Sequence, residues 1–197
     1  MPTINKDQAK EELIRSTAKK LFFGEGKFNA TTQEIADAAG VNRTLINYYF
    51  RSRDNLIQIV FDEAQQVEKN KSEIIMHSDL PFREKISRFI ENSLSTSLKY
   101  PYLETYIVSQ INKGNCHKKD IEPEELKRFY KDIKAEMEAG NIEKMEPIQF
   151  VLNMISLLVF PSAIRPLLMD NLMISDSKFD KIIAARKEII LNMLFKN

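Results

Sequence analysis

Residues 31–50 read TTQEIADAAGVNRTLINYYF, and this stretch leaves little freedom to the fold around it. Thr31 and Glu34 have the spacing of a capping box, in which a hydroxyl and a carboxylate answer each other's backbone N–H groups. A helix therefore starts here. It is short, because Gly40 supplies the left-handed residue on which helices commonly end. Asn42 can cap a second helix over 43–49. Ile35, Ala36 and Ala39 give the first helix an apolar face, and Ile46 and Phe50 do the same for the second. Val41 fills the space between, and Ala36 is small where the two helices must approach closely. Two short helices joined by a tight turn and packed on a third make a helix-turn-helix.

The second helix carries more hydrogen-bonding groups than burial of one face requires. Arg43, Thr44, Asn47 and Tyr48 sit away from Ile46, with Tyr49 beside them. Arginine can pair with guanine and asparagine with adenine in a major groove, while tyrosines reach phosphates. Thr32 and Gln33 lie in the first turn of the preceding helix, where free N–H groups favour an anion such as phosphate. Arg53 opens the next helix and can reach the same DNA backbone. Singly, each of these residues reads as a solvated side chain. Together with the caps, the turn glycine and Ala36, the set Thr32, Gln33, Asn42, Arg43, Thr44, Asn47, Tyr48, Tyr49 and Arg53 reads as a double-stranded DNA contact surface.

Residues 21–60, LFFGEGKFNATTQEIADAAGVNRTLINYYFRSRDNLIQIV, resemble the TetR family of bacterial transcriptional regulators. The matching positions are Gly26 and Phe28, then Thr31 or Thr32 to Ile35-Ala36. Ala39-Gly40-Val41, Tyr48-Tyr49-Phe50 and Ser52-Arg53 with Leu56 follow. Three positions depart from the family pattern: Asn47 stands for a frequent tyrosine, Thr44 for a small residue or proline, and Arg53 for lysine. They bear on the operator sequence rather than on the mode of binding. The resemblance implies an all-α homodimer. Its helix-turn-helix domain, residues 1–52, would bind a palindromic operator, usually as a repressor. A larger helical domain, residues 53–197, would hold a small-molecule effector and the dimer interface.

The rest of the chain has helical periodicity, few glycines and no tryptophan. An amphipathic helix over 6–23 carries Ala9, Leu13, Ala18, Leu21 and Phe22. Ser52 can cap a helix from Arg53 with Leu56, Ile59, Val60 and Ala64 on one face. Prolines suit first turns and open helices over about 81–98, 101–112, 123–139 and 147–170. The fourth of these is kinked at Pro161. A polar loop spans 113–120, and a last helix runs over about 175–195. The total is nine helices.

Helix 147–170 is apolar on nearly every side, and the stripe on 175–195 is wider than one neighbour needs. Val151, Ile155 and Leu158 on the first, with Phe179, Ile182, Ile183, Ile189, Ile190 and Met193 on the second, are therefore candidates for a four-helix dimer interface. Tyr102, Tyr106 and Gln110, facing Phe129, Phe150 and Met154, are candidates for a pocket for a small, mainly apolar effector. Six of the 8 methionines lie at or after residue 137 and suit an adaptable apolar cavity. Arg165, alone in FPSAIRPLL, reads first as a salt-bridge or carbonyl partner.

Other classes find little support. Two histidines and a single cysteine, with Cys116 beside His117, do not complete a zinc site. No glycine-rich phosphate loop or nucleophile elbow is present, and Ser16-x-x-Lys19 is commonplace on an amphipathic helix. Neither catalysis, nor a cofactor, nor a metal is expected. The lone cysteine fits a reducing compartment. The N-terminus does not resemble a signal peptide, and no apolar run is long enough to span a bilayer, so a cytoplasmic protein is expected. The net charge is +1, split as nine Lys/Arg against seven Asp/Glu in residues 1–56 (+2) and twenty against twenty-one beyond (−1). DNA binding must then rest on placed charges rather than on a bulk field. The rival reading is a helical protein-interaction module that has lost DNA reading.

Overall fold

The computed structural model describes residues 6–114 and 123–196. Cys116 and His117 lie outside the described residues. Among those described there are eleven α-helices and no strand. The first, α1 (Lys6–Lys19), widens into a π-turn over Lys20–Gly24. The wide turn lets three successive side chains, Leu21, Phe22 and Phe23, all be buried. The inward face of α1 is Ile14 and Ala18; Leu13, expected there, is exposed.

Then come α2 (Thr32–Ala39), α3 (Arg43–Phe50) and the long α4 (Arg53–Met76). Their core joins Ile14, Phe22, Phe23, Ile35, Ala36, Ile46, Phe50, Leu56, Val60 and Phe61. The first half of α4 thus belongs to the head, so the boundary expected after residue 52 does not coincide with a gap between cores.

The body holds α5 (Phe82–Lys99), α6 (Leu103–Asn112), α7 (Pro123–Glu138), α8 (Pro147–Ala163), α9 (Arg165–Leu172), α10 (Asp176–Ala184) and α11 (Arg186–Leu194). A second core forms around Phe82, Ile86, Ile90, Ile133, Phe150, Met154, Leu158, Phe179, Ile183 and Ile190. Helix α6 does not join it. Leu103 and Tyr106 plug into the head core, where the Tyr106 ring lies 5.1 Å from Phe61, 5.4 Å from Phe23 and 5.5 Å from Phe28. The turn before α6 is tied down as well. The Tyr102 N–H donates to the Phe23 carbonyl at 2.9 Å, and its ring lies against Gly26. A Cβ at Gly26 would stand 2.9 Å from that ring, on a backbone with φ of +68°.

Eleven helices replace the expected nine because 147–170 and 175–195 each break in two. The first bends by 69° between α8 and α9, at Ile164, and Pro161 stays inside α8. Both prolines leave a carbonyl four residues back without its helical donor. At Pro161 that carbonyl is Leu157, and Arg186 Nη2 donates to it at 2.9 Å. At Pro166 the strand of support is weaker. The Thr105 hydroxyl donates to the Ala163 carbonyl at 3.1 Å and reaches Ser162 only at 3.5 Å, and here the helix turns. The second break, at Ala185, separates α10 from α11.

Candidate nucleic-acid interface

The geometry of the α2–α3 unit is set by its ends. The Thr31 N–H donates to Glu34 Oε2 at 2.7 Å, and the Glu34 N–H donates to Thr31 Oγ1 at 3.2 Å, completing the capping box. The backbone bond first, then the hydroxyl, holds the Glu34 carboxyl below its ordinary pKa. Gly40 adopts φ of +64°. Its N–H bonds to Asp37 and that of Val41 to Ala36, the paired bonds of a Schellman ending. Asn42 Oδ1 then accepts from both the N–H and the hydroxyl of Thr44, at 2.9 and 2.8 Å. Asn42 and Thr44 therefore fix the start of α3.

Ile46 and Phe50 are buried beneath α3, while Arg43, Thr44, Asn47 and Tyr48 are exposed. Positions 43, 44, 47 and 48 are three and four residues apart and share one face. Tyr48 is 74% exposed, an unusual setting for a large aromatic side chain. Its ring meets that of Tyr49 edge-on at 5.0 Å. The Tyr49 hydroxyl donates to Asp7 on α1 at 3.2 Å, and desolvation, then Asp7, raises its pKa. Thr32 is half-buried, and exposed Gln33 donates to Asp37 at 2.7 Å. These groups make the exposed side of α3 and the first turn of α2 polar.

Arg53 behaves otherwise. It is partly buried, donates from Nε to the Ala30 carbonyl at 2.8 Å, pairs with Asp54 and sits over the Phe22 ring. Much of this guanidinium is spent on the head itself. Between α3 and α4 stands Arg51, which the sequence had not singled out. Its φ is +62° and ψ −41°, and the Ser52 N–H bonds back to the Phe50 carbonyl at 2.7 Å. Such a γ-turn with positive φ is rare and strained, at about 1–3 kcal/mol for a residue with a side chain. No sequence signal marks it, since the strain belongs to the backbone.

The six residues expected to line an effector pocket are not brought together. Tyr106 lies in the head core, and Phe150 and Met154 lie in the body core, with Phe129 packed against it. Tyr102 faces Gly26 and Arg165, and Gln110 is half-buried on α6. Spacing alone could not reveal that α6 docks with the head. Arg165 is buried and pairs with Asp176 at 2.7 Å and Asp180 at 2.8 Å. Burial opposes its charge, but these two carboxylates outweigh that and raise its pKa. The acidic pair four residues apart on α10 was the available signal.

The residues expected in a dimer interface divide in two. Leu158, Phe179, Ile183 and Ile190 line the protomer's own core. Ile155, Ile182, Ile189 and Met193 are exposed, and Val151 is half-buried. Ile148 and Leu152 extend the exposed set on α8. Periodicity cannot separate inner from outer faces on a helix that is apolar all round.

An all-helical fold among the described residues, with a capped helix-turn-helix and an exposed polar face on its second helix, is that of a DNA-binding protein of the helix-turn-helix class. Residues 14–60 match the model of the bacterial regulatory proteins, tetR family. The head of this chain is thus similar to the DNA-binding domain of that family. Over 54 residues, 27% of this chain, it is 48% identical to the HTH-type transcriptional dual regulator CecR of Shigella flexneri, and the match spans 23% of that relative. The fold extends further than the sequence likeness. A TetR family transcription regulator from Marinobacter aquaeolei superposes with a TM-score of 0.58 at 14% identity, over 98% of each chain. A linker-substituted HlyIIR mutant superposes at 0.62 and 20% identity, over 96% of this chain and 97% of the other.

Proposed function

We propose that this protein is a cytoplasmic transcriptional regulator that binds a palindromic operator as a homodimer and represses until a small, mainly apolar effector releases it. The observation that carries the reading is the exposed face Arg43, Thr44, Asn47 and Tyr48, mounted over buried Ile46 and Phe50 on a rigidly capped α3. Arg43 and Asn47 address base edges, and Thr32, Tyr48 and Tyr49 address phosphates.

Dimerisation is supported by the body. Ile148, Leu152 and Ile155 on α8, with Ile182, Ile189 and Met193 on α10 and α11, are exposed apolar side chains among the described residues. Arg186 joins α11 to α8, so the two stripes lie on neighbouring helices. Two copies mated here would carry two reading helices, and two half-sites about one helical turn apart require two.

Release by an effector would act through α6. This helix has Tyr106 in the head core and the Thr105 hydroxyl on the last carbonyls of α8. A ligand that parted α6 from α8 would alter the seat of the head, and so the spacing of the paired reading helices. The test is selection of bound fragments from a random duplex library, followed by the mass of the complex in solution. A palindromic winner holding two chains supports the reading. A library without enrichment overturns it in favour of the protein-interaction module.

A further inference from the structure

We propose that Arg51, not Arg53, is the arginine of the α3–α4 corner that grips the DNA backbone. The inference rests on the DNA-binding reading above and adds a contact residue to it. Two observations on neighbouring residues carry it. Arg53 is turned inward onto the Ala30 carbonyl, Asp54 and the Phe22 ring. Arg51 is exposed, and among the described residues its side chain has no hydrogen bond or ion pair.

Position 51 lies at the end of the reading face. Its N–H still bonds to the Asn47 carbonyl at 3.0 Å, so it continues the last turn of α3 one step beyond Asn47. The chain then reverses through the γ-turn, with Arg51 at its centre. Glycine would adopt this backbone at little cost. An arginine here strains the fold, and among the described residues no hydrogen bond or ion pair of its side chain offsets the strain, which points to a role outside the chain. A guanidinium at the rim of a groove-reading helix meets phosphates, which it can grip through two parallel hydrogen bonds.

In the head, Arg15 and Lys19 are held by Glu63, and Lys27 by Glu25. With these three cations paired and a net charge of +1, each unpaired one weighs heavily in backbone binding.

The experiment compares wild type with Arg51→Gly, Arg51→Ala and Arg51→Lys, using anisotropy on a labelled duplex of mixed sequence across a salt series, with thermal melting alongside. Loss of one phosphate contact lowers the slope of log K against log salt by about 0.9. Both Arg51→Gly and Arg51→Ala should show that drop and bind several-fold more weakly, while Arg51→Lys keeps the slope. Arg51→Gly alone should also melt higher, because it removes the strain. A purely structural role for Arg51 predicts the reverse for glycine, unchanged binding with altered melting. If wild type binds and the Gly and Ala variants match its affinity and slope, the proposal is overturned and the DNA-binding reading stands. If wild type shows no salt-dependent duplex binding, both fall.

Discussion

Helices α3 and α8 each hide one face and expose another, and the exposed faces are opposite in kind. Over buried Ile46 and Phe50, α3 offers an arginine, a threonine, an asparagine and a tyrosine. Over buried Phe150, Met154 and Leu158, α8 offers Ile148, Leu152, Ile155 and Phe160. The first surface loses little in water and gains from a polyanion with ordered donors and acceptors. The second is costly in water and gains from any close-fitting apolar partner. One folded chain thus presents a polar face on α3 and an apolar face on α8, and the proposed function assigns the first to nucleic acid and the second to a partner chain. The separation has a physical benefit, since neither partner competes for the other's face.

The sharpest way to break this comparison is to put a charge on the α8 face. Ile155→Asp leaves the protomer core untouched, because residue 155 is outside it. In a dimer mated on this face, the partner would cover an aspartate at 155. An unpaired charge buried there costs about 3–5 kcal/mol, and a two-fold interface incurs it twice. Sedimentation should show monomers with unchanged helical circular dichroism. A variant that stays dimeric would mean that the partner face lies elsewhere. The control is one turn away on the inner side. Leu158→Ala should cost about 2–5 kcal/mol of protomer stability in urea, as a cavity among Phe150, Met154 and Ile190. If Leu158→Ala dissociated the dimer without destabilising the chain, the assignment of inner and outer faces would be reversed.

On the α3 face the expected effect is smaller and falls on binding alone. Arg43→Ala should weaken binding to the selected operator by about 1–3 kcal/mol and relax preference at one base position. Its melting temperature should not move, because Arg43 is exposed. Equal loss on all sequences would turn Arg43 into a phosphate contact. No loss would remove α3 from the groove.

What could be read in advance follows the range of the interactions. Thr31, Gly40, Asn42 and Ser52 all end or start helices as their sequence context indicates. Caps act on groups two to four residues away, so the sequence holds both partners side by side. The exposed polar face of α3 was legible for the same reason. The break at Ile164 was not, because it depends on which distant group satisfies a proline-orphaned carbonyl. Thr105 and Arg186, each more than twenty residues off, decide it. Nor was the pocket, because docking of Tyr106 into the head is a tertiary choice between two cores of similar composition. Arg51 escaped for a third reason: a strained backbone leaves no mark on residue type unless glycine occupies it.

The smallest effect tests whether the α3 platform is as rigid as its caps imply. Thr31→Ala removes the hydroxyl that accepts from the Glu34 N–H, and loss of such a cap costs about 1 kcal/mol. Glu34→Gln tests the reciprocal bond, with a pH signature. The Glu34 carboxyl is held below its ordinary value by the Thr31 backbone N–H, then by the Thr31 hydroxyl. The folded state therefore binds its proton less readily than the unfolded state. The carboxylate's contribution is fully present above the unfolded pKa, near 4.3, and is lost as pH falls through the lower folded value. Wild type should exceed Glu34→Gln in stability at neutral pH, and the two should converge as the solution is acidified below pH ~4. A gap that stayed constant across that window would show that the charge on Glu34 adds nothing to the cap. The orientation of α2 would then be set by Ile35 and Ala36 in the core, and the polar face of α3 would rest on apolar packing as much as the exposed face of α8 does.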